Sequence, residues 1–263
     1  MNAGAGVVVL KYLALISFWW EALLMPGLGT LINVLCVVGG GVIGSLFGRF
    51  VSSDQQDALC KVSGVSVLFI GIAGTMEHML TLGDGALSST GSMFVVLCLL
   101  LGTIVGELLN IEGAFERFGE WLKVKTGNEG DGGFVDAFVT CSLTVCIGAM
   151  AIVGAIQDGV LGDYTTLAVK SVLDLIIVAA MTSSMGKGCA FSAIPIFLLE
   201  GGVTLLSSLI APVMTDLAVA NLSLVGSILV FCVGVNLVWG KTLRVANMLP
   251  ALIFAVAAAY MPF

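Results

Sequence analysis

The stretch TTLAVKSVLDLIIVAAMTSSM, residues 165–185, decides how the chain is read. About 20 apolar residues in a helix cross the hydrocarbon core of a bilayer, and this stretch has that length. Yet it carries Lys170 and Asp174. Four residues is about one helical turn, so both side chains share a face. A charge at membrane depth costs about 2.5–3.5 kcal/mol on insertion scales and is tolerated where it faces a protein interior or a wet cavity with a partner. The spacing therefore predicts a transmembrane helix whose charged pair points into a bundle and marks the place of the chemistry. The competing reading is structural: Lys170 reaches for the interface, neutralised by Asp174, and helps hold the helices together.

The rest of the chain has the same character. Of 263 residues, 59% are hydrophobic and only 10% charged, against about 25% charged in soluble domains. With a mean hydropathy of +1.13, this is a polytopic membrane protein. Its apolar runs suit helices rather than barrel strands, because lipid satisfies no backbone group. A net charge of −7 and the absence of a basic patch exclude nucleic acid as a partner. The seven cysteines form no CxxC and sit mostly in apolar runs, so they read as small packing residues. A single histidine, His78, rules out a multi-histidine metal centre.

Apolar runs bounded by charges, Gly or Pro give about eight spans, near 26–47, 62–80, 92–109, 134–154, 165–184, 189–210, 221–240 and 245–263. The loops test this count. Arg49 and Lys61 lie in the first, Arg117, Lys123 and Lys125 in the third, Lys187 in the fifth, and Lys241 and Arg244 in the seventh. The even loops carry no Lys or Arg. Positive loops stay cytoplasmic, which places the C-terminus outside the cytoplasm. Residues 1–24 are apolar but interrupted by Lys11 and Glu21, and read as an extra hydrophobic helix rather than a secretory signal.

Within the third loop, Ile111, Phe115, Phe118 and Leu122 recur at helical spacing opposite Glu112, Glu116, Arg117, Glu120 and Lys123. This predicts an amphipathic interfacial helix over 111–125, with Trp121 at headgroup level. The polar run TGNEGDGG, 126–133, then separates an N-terminal half, 25–126, from a C-terminal half, 134–263.

Gly40, Gly44 and Gly48, and again Gly102 and Gly106, stand four apart, a spacing that lets helix backbones approach closely. A homodimer through such faces is one expectation. Short matches, GVIG with GTIVG and FIG with FCVG, hint at an internal repeat of the transporter kind. Two stretches, CIGAMAIVGAIQDG (146–159) and SSMGKGCAFSAIPIFLLEGG (183–202), read as broken or re-entrant helices. Such breaks expose backbone ends where ions and polar solutes can be held.

Polar residues at depth complete the candidate pathway. Thr140 and Thr144 lie one turn apart on a face shared with Asp136 and could line a path, or merely bond to the preceding turn. Glu200, halfway along its span and followed by two glycines, suits a protonatable group. Gln157, Asp158 and Asn33 are further candidates. Glu107 is expected to pair with Arg49 or Lys241, and Asn236 and Asn247 to be helix-end groups. No GxxxxGK[ST] loop, HExxH or GxSxG occurs, so neither a cofactor nor an enzymatic activity is expected.

The order of motifs is similar to that of a known family. GLGTLINVLCVVGGGVIGSLFG (27–48), LGTIVGELLNIEGAFERFGEWL (101–122), FVTCSLTVCIGAMAIVGAIQDGVLGDY (138–164), KSVLD (170–174), FSAIPIFLLEGG (191–202) and RVANMLPAL (244–252) together resemble bacterial YqgA-like membrane proteins, a family catalogued as a domain of unknown function. The resemblance implies an integral membrane protein with a role in transport, and supplies no substrate or site. Gln157, Asp158, Lys170 and Asp174 fall on its motifs.

The expectation is thus an all-α polytopic helix bundle of the bacterial inner membrane, in contact with lipid, acting as an ion-coupled carrier for a small polar or ionic solute. A passive channel lined by Thr140 and Thr144, and a non-transporting structural or sensory protein, are the alternatives.

Overall fold

A computed structural model describes residues 26–50, 52–83 and 86–260; the expected extra segment 1–24 lies outside the described residues. Two long helices come first, α1 (Leu28–Gly48) and α2 (Ser53–Met79). A short antiparallel hairpin, β1 (Leu80–Gly83) and β2 (Ala86–Ser89), leads to α3 (Ser92–Leu109) and α4 (Ile111–Lys125). Next are α5 (Phe134–Cys146), α6 (Ala149–Leu161) and α7 (Thr165–Met185). A 3-10 segment, Lys187–Ser192, enters α8 (Ala193–Leu205), followed by the short α9 (Ser207–Ile210). The chain ends with α10 (Asp216–Trp239), α11 (Val245–Met248) and α12 (Pro250–Ala258).

Capping explains why some helices start before their apolar runs. Ser52 accepts from the Gln55 amide at 3.4 Å while the Gln55 side chain accepts from the Ser52 amide at 2.9 Å, so α2 begins with a polar turn. Thr215 caps α10 through Ala218 N at 3.2 Å.

The bundle is all-α, but its span count is lower than expected. Among the described residues six helices are long and apolar enough to cross a membrane. The pair α5 and α6, bent by 60°, makes a seventh if counted as one broken span. The expected span 245–263 falls short, because Pro250 divides its helical part into α11 and α12. At 1.5 Å per residue, Val245–Ala258 reaches about 21 Å of the roughly 30 Å required.

The glycine faces are used within the chain. A Cβ at Gly40 would lie 2.5 Å from the Leu175 carbonyl oxygen, and one at Gly48 would lie 3.3 Å from Ser183 Cα. Gly44 sits on Ala179 in the same way, so α1 and α7 run parallel in backbone contact. Gly71 meets Phe231 while Gly64 meets Leu237, an antiparallel register between α2 and α10. Gly102 meets Ala251 and Gly106 meets Asn247, again antiparallel. Every pair joins one helix before the 126–133 loop to one after it. The two halves therefore interlock, and the face that suggested a homodimer is spent inside the molecule.

Helix α4 follows its predicted bounds. Its apolar face packs toward α5, with Phe118 and Phe138 ring centroids 5.8 Å apart, while Trp121 is exposed.

Candidate functional site

The site begins at the interruption between α5 and α6. Gly148 has φ 148° and ψ 148°, a conformation open essentially to glycine. The α-helix cannot continue, so its last carbonyls lose their usual partners. Lys170 Nζ supplies one, bonding Val145 O at 2.9 Å. A cation at a helix C-terminus also meets the favourable end of the helix dipole. One turn along α7, Asp174 receives a second bond from the same ammonium. Glu200 Oε1 on α8 lies 3.4 Å away on a third side. Lys170, Asp174 and Glu200 are 6%, 4% and 1% exposed, so the cluster is shielded from lipid and bulk solvent alike.

Asn33 closes the group from α1, its Nδ2 donating to Glu200 Oε1 at 2.8 Å. A turn away, the hydroxyls of Thr30 and Thr204 meet at 3.3 Å. Four of the sequence-predicted residues, Lys170, Asp174, Glu200 and Asn33, thus form one connected cluster.

Asp158 and Gln157 lie apart from it. Asp158 Oδ2 accepts from Gly29 N at 3.0 Å. Helix α1 has no side-chain cap of its own at Gly27, so Asp158 does that work from α6. Gln157 Oε1 accepts from Thr166 Oγ1 at 2.6 Å and ties α6 to the start of α7. Glu107 pairs with Arg244 at 3.1 Å, rather than with Arg49 or Lys241 as the sequence suggested. Asn236 caps the following loop through Thr242 N and Leu243 N at 3.0 and 2.9 Å. Asn247 accepts from Glu112 N at 2.7 Å.

Two cavities approach α5 from different directions. The first, about 540 Å³, is lined by Asp57, Lys61, Glu112, Asp136, Thr140 and Lys241 among others. The second, about 340 Å³, is lined by Glu77, His78, Thr144, Gly148, Lys170 and Asp174 among others. Asp57 and Glu77 lie near opposite ends of α2, separated by about 30 Å of helix. Thr140 therefore faces one cavity and Thr144, a turn later, the other. Thr144 Oγ1 donates to Thr140 O at 2.8 Å, leaving its lone pairs free to accept. Buried apolar side chains share these walls, Leu143 and Val233 at the first cavity and Val67 and Val145 at the second.

At the mouth of the first cavity stands a pair that sequence reasoning passed over. Glu112, buried on α4, meets Lys241 at 3.0 Å, and Glu116 meets the same ammonium. Burial opposes the charge of Lys241, but its bonds to Glu116 and Glu112 outweigh it and hold the ammonium above its ordinary value. The helical pattern places Glu112 on the polar face of α4, and nothing local in the sequence marks this first turn as enclosed. Among the described residues no group of three or more His, Cys, Asp or Glu side chains is arranged to hold a metal ion.

A family profile described as "Protein of unknown function (DUF554)" matches residues 28–260. The chain is 25% identical over 225 residues to the uncharacterized membrane protein YdfK of Bacillus subtilis, covering 86% of this chain and 92% of that one. It is 27% identical over 232 residues to the uncharacterized protein YqgA of Escherichia coli, covering 87% and 94%. No solved structure matches the chain.

Proposed function

This chain belongs to the DUF554 family of proteins of unknown function, and from that premise and the geometry above we propose that it is a secondary transporter, an ion-coupled carrier for a small polar or ionic solute in the bacterial inner membrane. The observation that carries the reading is the Lys170–Asp174 pair, buried yet lining a cavity beside a broken helix. An ammonium and a carboxylate at one such place can hold a zwitterion or a small ion by both signs of charge. The carbonyl of Val145, freed from the helix ladder by the break, holds the Lys170 ammonium in place there.

The two cavities favour a carrier over a continuous pore. A carrier opens its site to one face at a time, and cavities that divide between Thr140 and Thr144 suit a closed barrier. The end bearing Lys61, Lys187 and Lys241 is the cytoplasmic one by the distribution of basic residues. Helices α11 and α12 start at that end and run toward the other face, in keeping with an extracytoplasmic C-terminus. In this reading the protein is not an enzyme and works in contact with lipid and its solute.

The test begins with a thermal-shift screen of purified protein against amino acids, small carboxylates and inorganic ions. Hits are then followed as counterflow in liposomes. Saturable exchange in the wild type, lost in Lys170→Ala, is the expected result. Equal exchange in that variant removes the pair from the mechanism, and single-channel currents instead of saturable exchange replace the carrier with a channel.

A further inference from the structure

The bond between Asn33 and Glu200 is half of a pair. Asn33 Nδ2 donates to Glu200 Oε1 at 2.8 Å. The other two atoms of the same groups, Asn33 Oδ1 and Glu200 Oε2, are buried and have no partner among the described residues. Both are acceptors when Glu200 is ionised, so they cannot satisfy each other. A buried polar atom left unpaired costs about 1–3 kcal/mol, more when charged. One proton on Oε2 converts that atom into a donor, and the unpartnered amide oxygen belongs to the side chain already bonded to Glu200. An O–H bond from Oε2 to that oxygen would close a ring with the existing N–H bond and satisfy both orphans together.

Charge balance points the same way. Among the described residues Lys170 is the cation that reaches Asp174 and Glu200, so two buried carboxylates share one ammonium. A buried unbalanced charge is expensive, and one proton brings the cluster to neutrality. The groups around Glu200 leave few other sources of compensation. From α7 come Lys170 and Asp174, and from α5 the thiol of Cys146. From α6 comes Asp158, bonded to Gly29 N. From the 3-10 segment come Lys187, which is exposed, and Cys189, which bonds Ala137 O at 3.5 Å. Helices α1 and α9 contribute Thr30, Asn33 and Ser207. A metal cation would meet the ammonium of Lys170 already 3.4 Å from Oε1.

We propose that Glu200 binds a proton in a carboxylic acid–carboxamide pair with Asn33, and that this proton is the coupling ion of the carrier. The coupling role rests on the carrier reading; the proton site does not. As the coupling ion it is taken up from one face of the membrane and released to the other, with no heavy-atom bond made or broken. Its loss leaves Glu200 a carboxylate beside Lys170. The ammonium then divides between Glu200 and Asp174, and Asp174 becomes free to act on whatever occupies the cavity.

Infrared spectra of the purified full chain in liposomes at neutral pH test this. A band of a protonated carboxylic acid is expected in the wild type and lost in Glu200→Gln, which keeps the ring as an amide–amide pair. In Asn33→Leu the band should persist but shift, because the acid has lost its partner. A wild type without the band, or a band unchanged in either variant, overturns the proposal. A band that behaves as expected in a protein that moves no solute upholds the proton site and overturns both the coupling role and the carrier reading.

Discussion

Lys241 and Glu112 meet at 3.0 Å across 129 residues of sequence, one half-exposed at the end of α10 and the other buried at the start of α4. The contact fastens the amphipathic helix to the end of the bundle, over the mouth of the first cavity. Lys241→Ala is expected to lower the melting temperature in detergent by an amount equivalent to about 1 kcal/mol, since solvent screens a half-exposed ion pair. Because folding raises the affinity of Lys241 for its proton, the stabilisation is complete below the unfolded value of about 10.4 and lost as pH rises beyond it. Melting curves should therefore show no contribution from this pair to pH dependence between about pH 7 and 9 and a fall above about 10.5, which Lys241→Ala flattens. A variant that melts like the wild type at neutral pH would refute the clamp.

Gly40 and its neighbour Gly39 offer a matched pair. A Cβ at Gly40 lies 2.5 Å from the Leu175 carbonyl oxygen, whereas one at Gly39 meets nothing within 4 Å. Gly40→Ala should cost about 1–3 kcal/mol through overpacking. Gly39→Ala should be neutral or gain up to about 1 kcal/mol from helix propensity. Thermal melts of the two variants side by side decide it; equal values would mean that α1 and α7 do not touch through backbone.

The cavities should be reached from opposite faces of the membrane. Cys60 lines the first and Ser223 the second. In oriented vesicles, with the other cysteines replaced, a membrane-impermeant thiol reagent should label Cys60 from the face bearing Lys61 and Ser223→Cys from the other. Labelling of both from one side would contradict the arrangement on which the carrier reading depends.

Asp158 is expected to matter for stability more than for transport. Removing its carboxylate in Asp158→Ala takes away the bond to Gly29 N, at a cost of about 0.5–2 kcal/mol for a lost helix cap. Counterflow by the folded variant should keep the wild-type affinity. A large loss of affinity at unchanged stability would return Asp158 to the solute pathway.

Much of this was legible in the amino-acid pattern because the signals are local. Lys170 and Asp174 meet because four residues make a turn, and α4 keeps its bounds because its apolar stripe has helical period. The glycine spacing correctly announced close approach but could not name the partner, since any backbone fills such a groove. Joining Glu200 to Lys170 required the fold, because 30 residues and a sharp hairpin separate them. The interruption at Gly148 was anticipated only as a stretch. Why Val145 O needs Lys170 follows from where that stretch ends the hydrogen-bond ladder. The hairpin after α2 went unforeseen, its strands being only four residues each. The over-count of spans came from treating 245–263 as continuous, when Pro250 begins a new helix.

The interlocked glycine pairs dictate an order of biogenesis. When α1, α2 and α3 leave the ribosome, the surfaces they need are still untranslated: α1 must wait for α7, α2 for α10, and α3 for α11 and α12. Until then these three helices stand in the insertion machinery or the lipid with their grooves unfilled. A nascent chain stalled after residue 210 would have seated one of them and left two bare, which makes such an intermediate a natural client for a membrane chaperone or protease.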